Sequence, residues 1–263
     1  MLMSRTAAVY IGTSGWIYAD WKGRFYPAEL PDRERLSFYS RRFGTTEINS
    51  SFYHIPRPAT FRGWAARVPE GFRFAVKVHR SITHLRRLKN SAEIWREFLD
   101  NARELGAKLG PFLFQLPPSL RADAGLLESM LDGIRGKSPG AAPRVAFEFR
   151  HTSWFDPEIL DLLRTYDACL VRAHSARYPT APDEATADYV YMRLHGPRQM
   201  FASSYSMPEL AAWAESIRSW VNRGKDIFVY FNNDFQAEAV ENALVLASML
   251  SGQGIKPAGA AEP

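Results

Sequence analysis

The chain has 263 residues, of which 46% are hydrophobic and 23% charged, and its formal net charge of +5 rests mostly on arginine. This composition excludes a disordered or low-complexity protein, and the length suits one (β/α) barrel of about 250 residues. A single cysteine, Cys169, excludes an internal disulfide, and no apolar run approaches the ~20 residues of a membrane span. Residues Met1 to Thr6 carry no signal-peptide core, so a cytoplasmic protein without membrane contact is expected.

The first β-rich run is Val9–Trp16, which includes the turn Gly12-Thr13-Ser14-Gly15-Trp16. Such a turn can offer backbone N–H groups to an anion, although its spacing is not that of a P-loop or a dinucleotide fingerprint. The second run is Thr45–Tyr53, and the third, Arg73–Arg80, leads into the basic segment His79–Lys89. Ser91 can then cap a helix with Ile94, Trp95, Phe98, Ala102 and Leu105 on one stripe, stopped near Gly106 and Gly110. Strands four to six are read at Pro111–Pro117, Arg144–His151 and Ala168–His174. Cys169 sits among Ala168, Leu170 and Val171 as a small apolar filler.

The stretch Ser175–Ala187 holds Pro179 and Pro182 and has no helical stripe, which predicts a loop in place of the sixth helix. Asp188–His195 is the seventh strand, followed by a helix with Pro208 in its first turn and Leu210, Trp213, Ile217 and Trp220 along one side. Asp226–Asp234 is the eighth strand, and Ala239, Val240, Ala243, Leu244 and Ala247 mark the last helix. Residues 1–252 thus read as one domain and 253–263 as a disordered tail.

Strand–helix alternation of this kind implies parallel strands joined by right-handed crossovers. An open sheet would need both strand faces apolar. Here Phe147 and Phe149 alternate with Glu148 and Arg150, and Val190, Met192 and Leu194 with Tyr191, Arg193 and His195. The fold expected is therefore α/β, a TIM-type (β/α)8 barrel with a polar mouth.

With the apolar faces on the helices, the interior should receive Glu47, Asn49 and Ser51, Lys77 and His79, Gln115, Glu148 and Arg150. Arg172 and His174, then Tyr191, Arg193 and His195, then Tyr230, Asn232 and Asp234, complete the set. Burying such charges is costly unless they are paired or solvated. A structural network with Glu148 paired to Lys77 or Arg193 is one reading. An arginine-rich pocket for a phosphate-like anion is the other, because guanidinium binds phosphate through parallel hydrogen bonds.

The function favoured by these residues is an enzyme of hydrolase or lyase type acting on a small phosphate-bearing or other anionic substrate. Lys77, Arg150 and Arg193 would hold the anion, with Glu148 or Asp234 as general acid or base. Tyr230, Asn232 and Trp16 would shape the uncharged part of the substrate, and Asn49, Gln115 and His195 would line the wall. A non-catalytic binder of nucleic acid or of a small anion is an alternative, with the basic segment after strand three on a phosphate backbone. A metal-dependent isomerase or hydrolase using Glu47, Glu148 and the histidines is another. No metal or other cofactor is expected, because ligand pairs of the His-x-x-x-His or Cys-x-x-Cys kind are missing and nearby cations oppose a divalent ion.

At these same residues the sequence resembles the YecE-like family, also called domain of unknown function 72. The marks are Gly-Thr-Ser-Gly-Trp at 12–16, Glu47-Ile48-Asn49 running into Phe52-Tyr53, and Lys77 followed by Thr83-His84. Gln115-Leu116-Pro117-Pro118, Phe147-Glu148-Phe149-Arg150-His151 and Ser153-Trp154 follow. Arg193-Leu194-His195-Gly196 and Tyr230-Phe231-Asn232-Asn233-Asp234 complete the pattern, from about Tyr10 to Leu250. The resemblance implies a TIM-type barrel and supplies no reaction. Where the family pattern has a glycine-containing turn after Asp234, this chain has Phe235-Gln236-Ala237-Glu238.

Overall fold

The computed structural model describes residues 6–136 and 142–259. Nine strand segments form one sheet: β1 (Val9–Ser14), β2 (Thr45–Ile48), β3 (Arg73–Lys77), β4 (Leu109–Gln115), β5 (Val145–Glu148), β6 (Cys169–Leu170), β7 (Arg172–His174), β8 (Tyr189–Leu194) and β9 (Asp226–Phe231). Their order is β6-β5-β4-β3-β2-β1-β9-β8-β7, and every pairing is parallel. The two ends of that order are halves of one strand, parted only at Val171. The first half pairs with β5 and the second with β8, so the ring closes through the chain itself.

The break at Val171 has a local cause. Its N–H still donates to Phe147 O of β5 at 2.9 Å, but the N–H of Ala173 turns back onto Val171 O at 3.1 Å. That bend carries the strand from one neighbour to the other. Eight strands were expected, and eight are present with the sixth divided.

Helices α1 (Arg35–Tyr39), α2 (Pro58–Ala65), α3 (Ala92–Ala102), α4 (Ala124–Arg135) and α5 (Pro157–Thr165) follow the first five strands. Helices α6 (Met207–Asn222) and α7 (Glu238–Gly252) follow β8 and β9, and Ser175–Ala187 is irregular as expected. The starts are chemically marked. Asp123 accepts the Leu126 N–H at 2.9 Å to cap α4, and Ser206 with Glu209 forms a reciprocal capping box on α6. In α7 the buried stripe runs through Ala239, Val240, Ala243, Leu246 and Leu250, whereas Leu244, expected inside, is 40% exposed. No helix among the described residues is long and apolar enough to cross a membrane.

Two apolar layers result. The larger lies between sheet and helices, and the smaller fills the barrel with Tyr10, Ala75, Leu113, Ala146, Cys169, Val171, Ala173, Tyr189, Tyr191, Phe228 and Tyr230. Five large rings occupy this interior, so the strand facing them contributes small side chains.

That crowding corrects the phase expected for the sixth strand: Cys169, Val171 and Ala173 point inward, and Arg172 and His174 point to the helices. Arg172 pairs with Asp183 at 2.5 Å and lies over the Trp220 ring of α6. His174 bonds the Tyr205 hydroxyl at 2.9 Å and packs edge-on to Trp213.

A second correction concerns the tail. Residues 253–259, read from sequence as disordered, run across the N-terminal end of the barrel. Ala258 N–H donates to Val9 O at 2.7 Å, and Ile255 packs on the outer core. A Cβ at Gly44 would stand 1.9 Å from Ala258 O, so only glycine admits this approach. The expectations for residues 1–5 and 260–263 fall outside the described residues.

Candidate active site at the C-terminal mouth

Above the aromatic interior the barrel turns polar, and its centre is Arg193 at the end of β8. The guanidinium is wholly buried. Nε and Nη2 reach both oxygens of Glu47 at 3.0 and 2.7 Å, and Nη1 reaches Glu148 Oε2 at 2.6 Å. The Ser14 hydroxyl lies 3.4 Å from Nη2 and donates to Glu47 Oε1 at 3.0 Å, and Tyr191 donates to Glu47 Oε2 at 2.6 Å. Burial raises the pKa of Glu47, but Arg193 outweighs it and holds the carboxyl below its ordinary value.

Glu148, from the end of β5, is equally occupied. Its Oε1 accepts from Arg150 Nε at 3.1 Å and from Gln115 Nε2 at 3.0 Å, with His195 Nε2 at 3.4 Å. Burial works against its charge, yet Arg193 and Arg150 hold it well below the normal carboxyl range. Burial keeps His195 below its ordinary value, so it is neutral at pH 7. The hydrogen-bond network assigns its proton to Nε2, facing Glu148, while Nδ1 accepts from Asn232 Nδ2 at 2.8 Å.

This arrangement corrects two assignments. Arg193 has no free edge for an anion, because Glu47 and Glu148 take it. Glu148 is a counterion shared by Arg193 and Arg150 and held charged by them, which does not suit the general acid or base expected of it. The same commitment removes Glu47 and Glu148 as metal ligands, and among the described residues no three His, Cys, Asp or Glu side chains are placed to hold an ion. Tyr230 is a third correction. It lies below the mouth, bonded to the Thr45 hydroxyl at 2.7 Å and packed on Tyr191, out of reach of a ligand.

The open part of the mouth lies over β1, β2 and β3. A cavity of about 420 Å³ is lined by Gly15, Trp16, Ile17, Tyr18, Asn49, Ser50, Tyr53 and Lys77. Trp16 is a fixed wall, buried edge-on against Trp64. Asn49 Nδ2 donates to Ser14 O at 3.1 Å, but its Oδ1 is buried without a partner. Lys77 ends β3, half-buried, with Nζ 4.6 Å from the centre of the Phe52 ring. Burial and then the repulsion of Arg193 bring its pKa down to about 7, with Glu47 and Glu148 opposing.

Asp234 follows β9 and neighbours Tyr18, a wall of that cavity. Its Oδ1 is buried and unpartnered, and burial pushes the carboxyl up to about 8. It is thus mostly protonated at pH 7. The turn that holds it takes a left-handed conformation at Gln236 (φ 55°) and Ala237 (φ 67°), the geometry a glycine would supply.

Arg150 also keeps open valence. Its Nε is bound to Glu148 and its plane lies 4.3 Å over the Tyr178 ring, while its terminal nitrogens make no hydrogen bond among the described residues. His84, on the turn after β3, is held down to about 4 by burial and then by Lys77 and Arg150. Tyr18, His84 and Ser14 were not among the expected site residues. Ser14 was legible from the alternation Tyr10, Gly12, Ser14 along β1, whereas Tyr18 and His84 sit on loops without periodic signal.

Similar proteins carry this architecture. The UPF0759 protein YunF of Bacillus subtilis is 24% identical over 274 residues, spanning 92% of this chain and 94% of its own. The solved structure of a DUF72 family protein from Thermotoga maritima superposes with a TM-score of 0.79 at 29% identity, covering 93% of this chain and 99% of that one. A DUF72 family protein from Enterococcus faecalis gives a TM-score of 0.78 at 21% identity, with 92% and 95% covered. The family model described as protein of unknown function DUF72 matches residues 10–263, and the chain belongs to that family.

Proposed function

We propose that the chain is an enzyme that transfers a proton on a small anionic substrate at the barrel mouth. Lys77 and Asp234 exchange the proton and Arg150 anchors the anion. One observation carries the reading: Lys77 and Asp234 are both displaced toward neutrality, to about 7 and about 8, and Lys77 lines the open cavity while Asp234 adjoins its wall residue Tyr18. A lysine and a carboxyl so placed can serve as base and acid at one pH. Arg150, with its terminal nitrogens open, supplies the anion contact that Arg193 cannot. Exposed Ile17, Tyr53, Leu85, Phe201 and Phe235 sit on loops after strands and form an apolar rim able to exclude water from a bound ligand.

The test is calorimetric titration of inorganic phosphate and of oxalate at pH 7. Wild type should bind at least one of them, and Arg150→Ala should weaken binding about tenfold or more. Failure of wild type to bind either would remove the anion from the reading.

A second reading has its own observation. Arg86, Arg87, Lys89 and Arg121 line a groove of about 510 Å³ between the loops after β3 and β4. Arg87, Leu88 and Asn90 there hold left-handed backbone conformations, which bury Leu88 and leave the cations outward. A nucleic-acid backbone fits that charge. Its affinity should fall steeply with salt, and replacing Arg86, Arg87 and Lys89 by alanine should flatten the slope.

A further inference from the structure

We infer that Lys77 is a nucleophile that forms an imine with a small carbonyl compound carrying an acidic group, in the cavity at the ends of β1, β2 and β3. The inference rests on the reading of this mouth as an active site and names its substrate class.

Buried Lys108 shows what a structural ammonium looks like in this chain. Lys108 donates to Ala65 O and Val68 O, both at 2.8 Å, and lies 3.6 Å from Glu70. Lys225 likewise donates to Ala187 O at 2.7 Å. Lys77 Nζ has no hydrogen bond or ion pair among the described residues, although Glu47 and Glu148 are close enough to act on its charge. Both carboxylates are turned to Arg193 instead. The amine therefore faces the cavity over an aromatic ring, in the desolvated setting that activates a lysine as nucleophile.

The surroundings supply what imine formation needs. Asn49 Oδ1 is buried with no donor, so it can accept from the carbinolamine hydroxyl or from the amine. Asp234 Oδ1 is also unpartnered, and the protonated carboxyl can give a proton to the departing oxygen. The acidic group of the substrate would lie toward Arg150. In the reaction the Nζ lone pair attacks the carbonyl carbon, a C–N bond forms, and the oxygen becomes a hydroxyl. The C–O bond then breaks, the nitrogen lone pair closes the C=N bond, and the oxygen leaves as water. Both hydrogens of that water are those lost by the amine, passed through Asp234, so no oxidant or reductant takes part.

The experiment treats the full chain with glyoxylate at pH 7, reduces with cyanoborohydride and maps adducts by peptide mass. The Lys77 adduct should form at least about tenfold faster than adducts on exposed Lys22, Lys89 and Lys256, which lack its desolvated setting. Its rate should level off above pH 7. Excess oxalate should slow it, and Lys77→Arg, checked for folding by circular dichroism, should lose it. Adducts on the exposed lysines with Lys77 untouched overturn the inference. If oxalate still binds through Arg150 in that case, the proton-transfer reading stands; if Lys77 reacts but no anion binds, the nucleophile stands and the anion anchor falls.

Discussion

Arg193 Nη2 lies 2.7 Å from Glu47 Oε1, and both side chains are fully buried although 146 residues separate them in sequence. One guanidinium so bridges two carboxylates, with Arg150 also paired to Glu148, and its loss leaves Glu47 buried without an ion pair. Arg193→Met should cost about 3–5 kcal/mol in urea unfolding at pH 7. Glu47 and Glu148 have depressed values in wild type, so their contribution is present above the ordinary carboxyl range of about 4 and lost as pH falls below it. In the variant the sign reverses at Glu47, because a buried carboxyl without its guanidinium gains from protonation. Its deficit against wild type should therefore shrink toward pH 4, and a deficit that is constant with pH would contradict the pairing.

Asp234 makes the opposite prediction. Its folded value is raised from 3.8 to about 8, so the folded chain keeps a proton that the unfolded chain releases. The associated stability is full below pH 3.8 and is lost as pH rises toward 8. Asp234→Asn removes this loss. The stability of the variant relative to wild type should grow between pH 5 and pH 8 in parallel denaturant titrations, and a flat difference would place the carboxyl in an ordinary environment.

The turn after Asp234 offers a test of backbone strain. Ala237 holds φ at 67°, a conformation that costs a side-chain-bearing residue roughly 1–2 kcal/mol. Ala237→Gly should recover about 1 kcal/mol net of glycine's greater unfolded entropy. A rise in Tm is the expected readout, and a fall would mean that the Ala237 methyl, which is buried, packs for more than the strain costs.

At the other end of the barrel, Gly44→Ala should lift the chain at 258–259 from its seat, since the new methyl has no room beside Ala258 O. The expected cost is about 1–3 kcal/mol. Hydrogen exchange at the Ala258 amide, protected in wild type by Val9 O, should speed up in the variant. Unchanged exchange would show that the segment adjusts without leaving.

The barrel is legible in the residues alone, because long strands write their two faces as alternating apolar and polar residues. Val190, Met192 and Leu194 against Tyr191, Arg193 and His195 can be sorted with no structure at all, and the mouth residues of β2, β3, β4, β5, β8 and β9 follow. The sixth strand could not be sorted in this way. It is short and bent, and Arg172 and His174 look inward by composition until Trp220, Trp213 and Tyr205 are seen waiting for them outside. The seat of residues 253–259 was equally hidden, since it depends on backbone approach at Gly44 and Gly71 and not on side-chain pattern. Which charges pair with one another is set by the folded geometry and not by the pattern of residues. Coulomb energy depends on distance in space, and closure of the ring brings Glu47 and Glu148 from β2 and β5 onto Arg193 of β8. That pairing commits three charged groups to one another, and the chemistry proposed for the mouth therefore rests on Lys77, Asp234 and Arg150.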